Sequence, residues 1–109
     1  MKFPNPLTQK PIQYRHGDVM LERVPNLPDN ATPTQGAILA RGELTGHSHR
    51  IKNAQAAQLF IHNGQTFVQI KQPTEIIHEE HQAIPLKVAT YRYWMQREYH
   101  PKAIVTVRD

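Results

Sequence analysis

Two short segments of this chain hold the residue types that bind metal ions and move protons. One is Gly46-His47-Ser48-His49-Arg50, and the other is His78-Glu79-Glu80-His81. On a strand, residues i and i+2 share a face. His47 and His49 would then point the same way, about 6–7 Å apart along the chain, and two imidazoles so placed can chelate one ion. Gly46 gives the turn that lets the strand approach closely. In the second segment the i, i+3 spacing puts both histidines on one face in a helical turn. On a flat strand they point to opposite faces, and one at most joins a shared site. Glu79 or Glu80 could supply a carboxylate ligand, or a general base acting on a metal-bound water.

The two histidine pairs lie about thirty residues apart, a spacing that suits neighbouring strands of a β-fold. A site of two or three histidines with a carboxylate suits Zn, Fe(II), Mn or Ni. The chain has no cysteine, which removes disulfides, thiolate chemistry and Cys-type zinc fingers. A histidine site here therefore reads as catalytic or regulatory rather than as a closed structural zinc. Three more of the seven histidines are read as structural or solvated: His16 in a turn before Gly17-Asp18, His62 at a hairpin end, and His100 before Pro101.

A third feature is Tyr91-Arg92-Tyr93-Trp94 followed by Arg97 and Tyr99. Aromatics interleaved with arginines stack on bases and neutralise phosphates, so Arg92, Trp94 and Arg97 are candidates for binding nucleic acid or an acidic partner. The bland alternative has Tyr91, Tyr93 and Met95 in the core, with Arg92 and Arg97 solvated or paired to Glu22, Glu43 or Glu98. No glycine-rich phosphate loop and no Ser-His-Asp spacing is present, so P-loop hydrolysis and serine hydrolysis have no support.

The elements that must position these residues read as strands. Ile12–Arg15 and Asp18–Val24 flank His16-Gly17, with Val19 and Leu21 on one face and Met20 and Glu22 on the other. Residues 25–35 hold three prolines and read as a stiff loop, and Ala37–Arg41 reads as a short buried strand. Ala57–His62 and Gln65–Ile70 flank Asn63-Gly64, the strongest short hairpin signal, because a type I′ turn needs positive φ at both central residues. That register sets Phe60 against Phe67 and His62 against Gln65, and assigns Leu59, Ile61, Val68 and Ile70 to the core. Glu75–His78, Ile84–Leu86, Ala89–Tyr99 and Ala103–Arg108 complete the set, with a helix competing over Met95–Tyr99. The expected fold is a small all-β barrel or sandwich of about seven to nine short strands over residues 12–109. A proline-bearing arm over 1–11 precedes it.

Composition agrees. The 109 residues suit about one domain, and nine prolines favour short strands over long helices. The charge of +4 permits phosphate-bearing partners without demanding them. No signal-like apolar run opens the chain and no segment approaches a membrane span, so the expected location is cytoplasmic.

Gly42 and Gly46 with His47-Ser48-His49 resemble the first motif of the cupins, small metal-binding β-barrels. That resemblance implies a barrel of six to eight strands with a metal inside, His47 and His49 as ligands, and often a dimer. The motif's glutamate would fall near Asn53 and Ala54, where none stands, and the second motif's Pro-x-Gly is absent. The GHSHR and HEEH segments are also similar to small uncharacterised bacterial and phage proteins, a likeness that implies no activity. Three functions follow as expectations. The first is a metal-binding β-barrel, as an enzyme on a small polar substrate in its catalytic form, with ligands from His47, His49, His78 and His81. The second is a binding module for nucleic acid or an acidic protein. The third is an oligomeric structural or accessory protein of phage type.

Overall fold

The computed structural model describes residues 12–42 and 46–96. Apart from one 3-10 turn over Ala54–Ala56, their regular elements are strands: β1 (Gln13–His16), β2 (Val19–Val24), β3 (Thr32–Thr34), β4 (Ile38–Arg41), β5 (Ser48–Ile51), β6 (Ala57–His62), β7 (Gln65–Ile70), β8 (Thr74–His78), β9 (His81–Leu86) and β10 (Ala89–Met95). They form two antiparallel sheets, ordered β1-β2-β10-β7-β6-β3 and β4-β5-β8-β9. The architecture is sandwich-like and is not a closed barrel. The expected arm over 1–11, the strand over 103–108 and the end of the expected strand beyond Gln96 lie outside the described residues.

The Asn-Gly hairpin forms as its turn chemistry dictates. Asn63 and Gly64 both have positive φ, 50° and 77°. Phe60 pairs with Phe67 and His62 with Gln65. Leu59, Val68 and Ile70 are buried as expected, but Ile61, one residue from the tip, is 41% exposed. Phe67, on the opposite face, is buried instead, between its cross-strand partners Phe60 and Arg92. β2 alternates as its sequence does, with Val19 and Leu21 fully buried.

Both sheets feed one core. Val19, Leu21, Leu59, Val68, Ile70, Tyr91 and Tyr93 come from the first sheet and meet Ile51, Ile76 and Leu86 from the second. Burial of such apolar surface at roughly 25 cal/mol per Å² is the main stabilising term. Tyr91 is buried with its hydroxyl donating to the Lys87 carbonyl at 2.9 Å, and burial pushes its pKa up to about 12.

Two strand expectations are corrected. The proline-bearing stretch 25–35 is not all loop, because Thr32–Thr34 pairs with β6. Pro33 lacks a donor but sits at the sheet edge, where none is needed. The strand near Ile84–Leu86 begins earlier, at His81, and that extension governs the candidate site.

Candidate metal centre

His-Glu-Glu-His is neither a helical turn nor a flat strand. His78 closes β8, Glu79 and Glu80 are the turn, and His81 opens β9, so the two histidines face each other across a hairpin. Cross-strand partners share a face, which is why the i, i+3 spacing brings both rings together, with centroids 4.7 Å apart. Neither glutamate has positive φ, since Asn63 is the one non-glycine with it among the described residues. The turn is therefore not the primed type that matches strand twist. The pairing shifts by one residue between Ile76 and His78, and a bulge of this kind re-aims side chains.

β5 lies beside β8, which carries the GHSH histidines to the HEEH hairpin. His49 is 5% exposed. Its ring centroid is 4.4 Å from that of His78 and 5.4 Å from that of His81. One ligand atom from each of His49, His78 and His81 lies within 4.8 Å of the others. Ligand atoms around a tetrahedral zinc with bonds of 2.0–2.1 Å stand about 3.3 Å apart, so small side-chain rotations would close the set on one ion. His47 does not join that group. It lies on the other side of His78, centroids 5.6 Å apart, and forms a second group with His78 and Glu79. The two groups share His78, and one neutral imidazole offers one lone pair, so they are alternatives for one ion rather than a two-metal site.

The chemistry of the donors favours the all-histidine group. Glu79 accepts a hydrogen bond from the Ser48 backbone N–H at 3.1 Å and pairs with the Arg50 guanidinium at 2.9 Å. Arg50 also donates to the Ser48 carbonyl and hydroxyl. The pKa of Glu79 is lowered by hydrogen bonds from backbone amides, its own and that of Ser48, and by Arg50. Glu79 thus clips the HEEH turn to the start of β5, with a fixed cation beside it that opposes a metal ion. Glu80 is 59% exposed, and its carboxylate lies 3.8 Å from His47 Nδ1.

His78 Nδ1 accepts the Glu80 backbone N–H at 2.9 Å. The proton of the neutral ring then sits on Nε2. His78 offers a lone pair to a metal by releasing that exposed turn amide, which water can take up. Its pKa is lowered, first by burial, then by His81 and His47, against the raising effect of Glu79 and Glu80. The unfolded chain therefore takes up this proton first as pH falls below the ordinary value of 6.5. Stability contributed by neutral His78 is present above that value and is lost as pH falls towards its lower folded value. The metal-free protein is expected to melt at lower temperature on going from about pH 7.5 to about pH 5.5, and His78→Gln to flatten part of that slope. Calorimetry across that range checks it, and an identical slope in the variant removes the assignment to His78.

Sequence reasoning missed His16. It ends β1 in the other sheet, is 2% exposed, and places its Nδ1 2.9 Å from His49 Nδ1. Its Nε2 donates to the Gln82 carbonyl of β9 at 3.0 Å. Gly17 follows with φ 61°, and a Cβ there would stand 2.7 Å from His81 Nε2 and 2.8 Å from His49 Cε1. The cluster thus sits at the seam where β1 meets β9. The available signal was the His-Gly pair at a strand end, where glycine permits close approach of another group. His62 stands apart at its hairpin tip, near the Asn63 amide at 3.3 Å.

The arginine and aromatic stretch is tied up within the fold. Arg92 lies over the Trp94 ring, 4.2 Å from its centroid, and pairs with Glu22 at 3.5 Å. Tyr91 and Tyr93 are core residues. Arg97 lies outside the described residues. No helix among the described residues is long and apolar enough to cross a membrane.

No curated protein and no solved structure matches the chain, so the cupin resemblance gains no support, and an open sandwich replaces the barrel it implied. A family match does exist, over residues 15–96. It takes in His16 and every residue of the histidine cluster, and all ten strands but for the first two residues of β1. The chain belongs to the family described as Domain of unknown function (DUF8820).

Proposed function

We propose that this domain binds one divalent transition-metal ion through His49, His78 and His81. The observation that carries the reading is the convergence of three imidazole ligand atoms within 4.8 Å, drawn from a strand and a neighbouring hairpin of one sheet. Imidazole donors suit Zn, Fe and Ni, and Mn more weakly. Three protein ligands leave a position for water or a small polar molecule, the pattern of catalytic rather than structural zinc. In a catalytic form the metal would activate that water. Of the two glutamates, Glu80 is the one not tied to Arg50, so it is the carboxylate assigned to proton transfer.

The test is direct. Untagged protein, stripped with chelator, is titrated with Co(II) and then with Zn(II), Fe(II), Mn(II) and Ni(II). The expected result is about one ion per chain, with Co(II) absorption bands of a four- or five-coordinate nitrogen site and displacement by Zn(II). Absence of stoichiometric binding by all five ions overturns the reading.

A further inference from the structure

His16 has a position that metal binding alone does not explain. It is buried, it comes from the opposite sheet, and it belongs to neither group of converging ligand atoms. Its two ring nitrogens instead touch two named partners. A backbone carbonyl can only accept, so the contact with Gln82 at 3.0 Å fixes the His16 proton on Nε2. A neutral His16 then has a lone pair on Nδ1. The facing nitrogen, His49 Nδ1 at 2.9 Å, must be the donor. His49 therefore carries its proton on Nδ1 and its lone pair on Nε2. The rings meet nearly at right angles with centroids 4.9 Å apart, so the two nitrogens face each other edge to edge rather than lying in a stack.

We infer that His16 is a positioning residue: it holds His49 in the Nδ1–H tautomer and so makes Nε2 the atom that His49 presents to a metal. This inference rests on the metal-binding reading for its purpose, but not for its geometry. Metal-ligating histidines donate their second ring N–H to a partner that fixes tautomer and orientation, and loss of such a partner costs about 10–100-fold in metal affinity. Here the partner is itself a histidine, anchored in turn to β9 through Gln82. The relay runs from the Gln82 carbonyl of β9 across the seam to His16 of β1 and back to His49 of β5, so the ligand is oriented by a side chain from the sheet that does not carry it.

Two measurements test this. The first uses metal-free, nitrogen-15-labelled protein, at a pH about 1.5 units above the ordinary imidazole value, and reads the ring tautomers from long-range nitrogen–proton correlations. His49 is expected as the Nδ1–H form and His16 as the Nε2–H form. In His16→Leu, His49 is expected to leave the Nδ1–H form. A wild-type His49 protonated on Nε2 overturns the inference whether or not the protein binds metal. The second compares Co(II) affinity in His16→Leu and His16→Asn. Leucine removes the acceptor, and about 10–100-fold loss is expected. Asparagine can place an oxygen where Nδ1 stood, and most of the affinity is expected to return. Equal, undiminished affinity in both variants overturns the positioning role while leaving the metal reading intact. A wild type that binds no metal overturns the metal reading, and the tautomer spectrum still decides the hydrogen-bond relay.

Discussion

Alanine at His49 is expected to abolish stoichiometric metal binding, with an affinity loss greater than the roughly 100-fold upper range for losing a residue that only orients a ligand. His49 is the most buried member of the three-histidine group. It lies against both of the others, at centroid distances of 4.4 and 5.4 Å, and it is fixed from behind by His16. His78 and His81 belong to one hairpin and can chelate weakly as a pair, so removal of either leaves His49 with one neighbour, whereas removal of His49 leaves only a partly exposed pair. The substitution also has a structural cost. It strips the buried His16 Nδ1 of its donor, about 1–3 kcal/mol for an unsatisfied buried group. Affinity must therefore be read beside a thermal melt that confirms folded protein at the titration temperature. His62→Ala is the matched control, because that ring lies at a hairpin tip with the Asn63 amide and should change neither quantity appreciably. Wild-type affinity in folded His49→Ala would remove the three-histidine site.

The legible parts of this protein were those in which a few adjacent residues settle the geometry. Asn63-Gly64 sets its own turn and with it the register of β6 and β7. Val19 and Leu21 alternate with Met20 and Glu22, so the buried face of β2 can be read directly. Arg92 pairs with Glu22, one of the partners that the sequence offers. The parts that were not legible depend on long-range pairing. Pro33 argues for a loop until its strand is known to lie at an edge. Glu79-Glu80 has no turn glycine or asparagine, so a two-residue hairpin leaves no mark there, and the bulge beside it is set by strand pairing rather than by its own residues. With that hairpin unread, His78 and His81 look incompatible on a strand. His16 and Gln82 are 66 positions apart, and nothing in the sequence of β1 says that it will meet the edge of the other sheet. Types and spacing thus offered His47, His49, His78 and His81 as candidates, of which the last three converge in one group, and gave no sign of His16 beside His49.

Gly17→Ala is expected to lower metal affinity by about tenfold or more, in line with the loss of a contact that orients a ligand, while Gly64→Ala leaves it unchanged. The two glycines have similar positive φ, 61° and 77°, so alanine pays a comparable left-handed backbone cost at each, about 1–2 kcal/mol. They differ in what the new methyl meets. At Gly64 there is nothing within 4 Å. At Gly17 the Cβ would stand 2.7 Å from His81 Nε2 and 2.8 Å from His49 Cε1, so something must move. His49 is buried and held by His16, whereas His81 is half-buried at the start of β9. Both contacts are under 3.0 Å, so moving one ring alone leaves the other contact in place, and the shift of either ring opens the set that a metal must close. Comparison of the two variants subtracts the backbone strain and leaves the contact with the rings. Parallel unfolding curves should show the larger stability loss in Gly17→Ala, by the cost of the ring contacts, with the affinity loss confined to that variant. Equal affinity in the two variants would mean that the β1–β2 turn does not shape the site, and the cross-seam assembly of the centre would fail with it.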